Sequence, residues 1–254
     1  PNAVLTVRAI VTIVAAGLLG LPRERSWGRH LLAGLAIAIG YYGATTIAYG
    51  IAPASVASLG LASEPLLLVV LRRRELRRAR GGAVAGLSLA AIGLAGAQSA
   101  SLSTRALVGL VLVAFAGASF VVGARILPPT FSPIAALRST ALAQALGSVV
   151  LLGAVAAAHR LDVPKGLAAW ALVSGLVAGS SLLGIAIFVR VATAAPLIAA
   201  GSVGLVPPLG SALAAALLHD PFGWHVVAAS VAAALAIVLG ALEPPPRTTP
   251  RSLG

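Results

Sequence analysis

Apolar residues run through this chain in long blocks rather than alternating with polar ones. Nine blocks stand out, at 3–21, 30–50, 53–71, 82–98, 106–124, 134–158, 167–189, 195–218 and 224–242. Each approaches the roughly 20 apolar residues that a helix needs to cross a bilayer. The gaps between them are short and hold most of the charged side chains, so none has room for a soluble domain. The pattern predicts an all-α polytopic membrane protein of nine spans, with a Pro-rich disordered cytoplasmic tail at 244–254.

The third and eighth blocks echo one another. Pro53 and Pro196 are 143 residues apart, as are Pro65 and Pro208, with Ala57/Ala200 and Leu66/Leu209 in the same register. Ala90-Ala91 and Ala233-Ala234 repeat at the same offset, and Arg8 and Gly17 match Arg138 and Gly147 at an offset of 130. Spans one to four thus correspond to spans six to nine. The fifth has no partner, and its counterpart would precede residue 1. The absence of methionine, even at residue 1, points the same way. The expectation is a five-plus-five inverted-repeat helical bundle with nine spans present and the leading helix missing. Its first repeat occupies 1–100 and its second 101–243. An odd number of spans per half inserts the halves with opposite orientation, as in many secondary transporters.

Composition narrows the class. Only 9% of the 254 residues are charged, against about 25% in soluble domains. The net charge of +12 is no sign of nucleic-acid binding, because the basic residues sit between apolar blocks and aromatics are few. Their distribution reads as topology. Alternate gaps hold fourteen basic residues on one side, including the RRRELRRAR run, and four on the other. The richer side, with the C-terminus, is expected in the cytoplasm, which places the protein in the cell (inner or plasma) membrane. Trp27, Trp170 and Trp224 fall at span ends, where indole rings favour the headgroup layer. Cysteine is absent, which removes disulfide and thiolate chemistry.

Candidate chemistry lies inside the spans. Glu64 is the one acid within an apolar block, near mid-bilayer, where a charge is expensive and is held against a cavity or a partner. Pro65, Pro207 and Pro208 are expected helix breaks; Pro65 and Pro208 free the carbonyls of Leu61 and Gly204. Tyr42, Thr45, Thr46 and Tyr49 share one face of the second span at helical spacing. Thr140, Gln144 and Ser148 make a stripe on the sixth span, and Ser174, Ser180 and Ser181 add hydroxyls on the seventh. Together these stripes predict a polar, substrate-binding interior, with Tyr42, Thr45, Thr46, Tyr49, Glu64, Gln144, Ser180 and Ser181 as binding residues. Arg8 and Arg138, about one turn into their spans, are expected to snorkel as structural anchors. No metalloprotease, nucleophile-elbow or phosphate-loop motif is present, so no enzyme activity, metal or cofactor is expected.

VLTVRAIVTIVAAG, IAALRSTALAQALG, APASVASLGLASEPLLLVVL and GLSLAAIGLAG resemble the EamA-type permeases of the drug/metabolite transporter superfamily. The resemblance covers nearly the whole chain. It implies a ten-helix carrier with a central cavity that exports amino acids, metabolites or toxic compounds by alternating access. The chain departs from the family in its missing leading helix. It also has Arg74-Glu75 and His219-Asp220 where the family has Gly-Glu before the closing helix. The partners expected are a small-molecule substrate and the lipid bilayer, with protons and a second copy of the chain as options, and no nucleic acid. The alternatives are a carrier of sugar- or lipid-linked substrates and a non-transporting membrane scaffold.

Overall fold

The computed structural model describes residues 2–22, 26–64, 66–67, 78–128, 130, 132–158, 161–194, 206–219 and 223–241. Every regular element among them is helical. Among the described residues, helical stretches fall within each of the apolar blocks. They are α1 (Asn2–Leu19), α2 (Trp27–Ile51), α3 (Ala54–Ala57, continuing as a 3₁₀ turn over Ser58–Ala62), α4 (Arg78–Leu102) and α5 (Thr104–Ile126). After them come α6 (Pro133–Ala157), α7 (beginning as Leu167–Leu176 and ending as Ile185–Ala194), α8 (Val206–Leu218) and α9 (Trp224–Ala241). Five described helices are long and apolar enough to cross a membrane, namely α2, α4, α5, α6 and α7.

Helix ends follow local chemistry. Ser103 accepts a hydrogen bond from the Ala106 N–H at 3.2 Å and caps α5. Ser132 does the same for α6, from the Ala135 N–H at 3.1 Å, with Pro133 in the first turn where its missing donor costs nothing. Gly20, at φ 75°, takes the left-handed turn that ends α1, a conformation a side chain would resist.

Burial is inverted relative to a water-soluble bundle. The interior is rich in alanine and hydroxyl residues, with Ala33, Ala48, Ala57, Ala91, Ala95, Ala116, Ala143, Ser55, Ser88, Ser99 and Thr140 all buried. The outer faces carry Leu18, Leu167, Leu172, Val111, Phe115 and Leu217 largely exposed, and the first turns of α7 bury no residue at all. An apolar exterior of this extent aggregates in water but is solvated by lipid chains. The protein is membrane-embedded. Small interior residues bring the helix backbones close, and that closeness is what holds helices together where lipid is as apolar as leucine.

The pairings are specific. α1 packs on α6, α3 on α8, and α4 on α9; α2 packs on α6 while α1 packs on α7. α2 and α6 cross at Gly34 and Gly147. A Cβ on Gly34 would overlap the Ala143 carbonyl oxygen, and one on Gly147 would overlap the Gly34 carbonyl. α5 lies along α2 and α3 and offers Gly109 to Ala52, Gly117 to Glu64 and Gly123 to Ile37.

Two helices change their winding at mid-length. Leu35–Gly43 of α2 and Val177–Gly184 of α7 are π-helical, with i→i+5 hydrogen bonds. Their starts are 142 residues apart, close to the offset of the sequence repeat. Ahead of Pro65, α3 tightens into its 3₁₀ turn. Pro65 itself and residues 195–205 lie outside the described residues. Pro207 and Pro208 fall in the first turn of α8 as described.

Candidate functional site

The polar interior has two poles joined by aromatic rings. At one pole is Glu64, just after the 3₁₀ turn of α3 and 2% exposed. α3 is fixed against α5 by Ser63, whose hydroxyl donates to the Ala114 carbonyl at 3.0 Å. The Glu64 methylenes lie on Gly117; a Cβ there would stand 2.9 Å from Glu64 Cγ. Glu64 Oε2 is buried with no hydrogen-bond partner. Tyr41 and Tyr49 of α2 both lie within electrostatic reach of this carboxyl. Tyr49 keeps 42% of its surface accessible.

At the other pole is Arg8 of α1. It is not a snorkelling anchor, as its place near a span end suggested. It is 9% exposed, and its guanidinium carbon sits 3.4 Å from the centre of the Tyr42 ring. The face of α1 that carries it is turned inward by packing on α6, where Thr12 donates to Ser148 at 3.0 Å. Arg8 Nε and Nη1 have no hydrogen-bond partner. The Tyr42 hydroxyl stands beside Ser181 of α7. Gln144 of α6 donates through Nε2 to the Ser181 carbonyl at 2.6 Å, leaving its own Oε1 and the Ser181 hydroxyl unpaired.

Between the poles the rings of Tyr41 and Tyr42 meet at 4.8 Å, Tyr41 and Phe120 at 5.1 Å, and Phe120 and Phe188 at 4.9 Å. These tilted contacts tie α2, α5 and α7 into one cluster. Both π segments deliver residues to it, Tyr41 and Tyr42 from one and Ser181 from the other. Such segments recur at functional sites because the wider turn re-aims side chains that a regular helix would direct elsewhere.

Of the residues read from sequence, Tyr42, Gln144 and Ser181 are brought together, with Glu64 and Tyr49 at the opposite pole. The Thr45 hydroxyl donates to the Tyr41 carbonyl at 2.6 Å, and Thr46 is half-buried one residue on. Pro65 lies outside the described residues, as do the side chains of Ser180, Pro207 and Pro208. Sequence reading missed Tyr41, Arg8, Phe120 and Phe188. Arg8 carried a signal, as a lone cation inside an apolar block; Tyr41 carried none, since a 3.6-residue period turns it away from Tyr49.

His30 is a second buried polar feature of α2. It is bonded to the Ser139 hydroxyl of α6 at 2.9 Å through Nε2 and to the Ser26 carbonyl at 2.9 Å through Nδ1. It is a tie between α2 and α6. No group of three or more His, Cys, Asp or Glu residues suited to a metal occurs among the described residues. Comparison with known proteins finds no matching family model, no matching curated protein and no matching solved structure.

Proposed function

We propose that this protein is a secondary-active transporter of the kind the EamA-type permeases represent. In this reading it exports small metabolites, amino acids or drugs by alternating access, from a cell membrane in which its C-terminus is cytoplasmic. The observation that carries the reading is Glu64, an acid buried at membrane depth with an unpaired carboxylate oxygen. It adjoins a helix that has left regular winding. A helix that serves only as scaffold has no use for such a group, whereas a carrier uses it to exchange a proton or a cationic substrate.

The helix pairings support a five-plus-five repeat. Each of spans one, three and four packs on its sequence counterpart six, eight and nine, and the pairing of span two with span six is mirrored by that of one with seven. A pseudo-two-fold axis in the membrane plane generates this arrangement. The two π segments at nearly the repeat offset fit the same relation. In inverted-repeat carriers, substrate sits near the midplane among discontinuous helices.

The test is flux of candidate substrates into vesicles under an imposed pH gradient. Glu64→Gln keeps the size and the stem packing on Gly117 but cannot change charge, so it is expected to insert normally and lose gradient-driven flux. Glu64→Ala should lose flux with a lower yield. Normal flux in the Gln variant, with Ala failing to fold, would reduce Glu64 to a helix tie.

A further inference from the structure

We infer that Arg8, Tyr42 and Ser181 form a binding subsite for an oxyanion, separate from the Glu64 pole. The guanidinium keeps its charge in essentially any protein environment, and burying it costs several kcal/mol unless partners offset the loss of water. The Tyr42 face, 3.4 Å away, supplies one partner through a cation–π contact. That leaves a deficit. Nε and Nη1 have no protein acceptor, so two of the guanidinium's donors are left unsatisfied. The neighbours that act on the Arg8 charge are the phenols of Tyr42 and Tyr41, and Tyr42 also hydrogen-bonds the guanidinium.

Two hydroxyls complete the subsite. Ser181 Oγ is buried and unpaired, although the Ser181 carbonyl is already engaged by Gln144. The Tyr42 hydroxyl stands next to it. A buried cation with unsatisfied donors on α1, beside hydroxyls of α2 and α7, suits one small oxyanion, with Tyr41, Phe120 and Phe188 nearby to accept an apolar or aromatic body. A soluble acid and a lipid headgroup present the same oxyanion chemistry. As a transport subsite the assignment rests on the carrier reading, but binding is measurable without flux, so the two fail separately.

The experiment uses the full chain in a neutral detergent, with sodium benzoate and its neutral isostere benzamide as probes. Apparent melting temperature is followed against ligand concentration. Benzoate should stabilise the protein and benzamide should not. Arg8→Lys keeps the charge but loses the fixed Nε and Nη1 donors and should weaken benzoate by about tenfold, while Arg8→Gln abolishes the shift. Ser181→Ala, which leaves packing intact, should also reduce the preference for benzoate. It carries the test if the Arg8 variants fail to fold. Competition by added phosphatidylglycerol would assign the same subsite to a lipid headgroup, and its absence to a soluble acid. Equal stabilisation by benzoate and benzamide overturns the inference, as does an undiminished benzoate shift in Arg8→Gln or Ser181→Ala.

Discussion

Replacing Gly147 by alanine tests how the polar interior is held together. The substitution adds one methyl to α6 where it crosses α2. Ordinary contact begins near 3.4 Å, yet the new Cβ would stand 2.9 Å from Ala38 Cβ and overlap the Gly34 carbonyl. The overlapped atoms are backbone, so no rotamer change relieves them and the helices must part. Overpacking of this kind costs about 1–3 kcal/mol, here at the upper end, offset by about 1 kcal/mol from the better helix propensity of alanine. Gly153, on the same helix, has nothing within 4 Å of its would-be Cβ. Gly153→Ala should therefore keep the propensity gain alone, and the two variants should differ by about 3 kcal/mol. Unfolding of the full chain by SDS in mixed micelles, followed by helical circular dichroism, gives both midpoints. Gly34→Ala should match Gly147→Ala, and the double variant should cost less than the sum, since one parting of the helices serves both methyls. Equal midpoints for Gly147→Ala and Gly153→Ala would refute the crossing.

Further outcomes follow from single contacts. Ser132→Ala removes the cap of α6 and should lower the SDS midpoint by the equivalent of about 1 kcal/mol, while Ser132→Asp retains it. His30→Phe strands the Ser139 hydroxyl between α2 and α6, while the Ser26 carbonyl keeps its backbone N–H partner, and should cost about 1–3 kcal/mol in the same titration; an unchanged midpoint would remove His30 as a tie.

The all-helical class and the five helices long and apolar enough to cross a membrane were legible in the sequence because bilayer thickness fixes how long an apolar block must be. Ser-initiated helices at Ser103 and Ser132 and the glycine stop at Gly20 follow from local chemistry in the same way. Glu64 was legible as a lone acid in an apolar block. What stayed hidden depends on contacts distant in sequence. Arg8 looked like an anchor because nothing nearby in the chain shows that Tyr42 will cover it. Tyr41 was passed over because a 3.6-residue period was extended through a segment that does not keep it.

That segment has a consequence for motion. A π turn accommodates one residue more than the α winding on either side, and each residue of an α-helix corresponds to a rotation of about 100°. If the extra residue migrates along α2 or α7, each step trades one i→i+5 bond for one i→i+4 bond with little net loss of hydrogen bonding. Side chains passed by the migrating turn swing to a new heading while the helix ends stay anchored. Tyr42 and Ser181 sit in these segments, so α2 and α7 hold a built-in gear by which the interior can be re-aimed without unpacking the bundle.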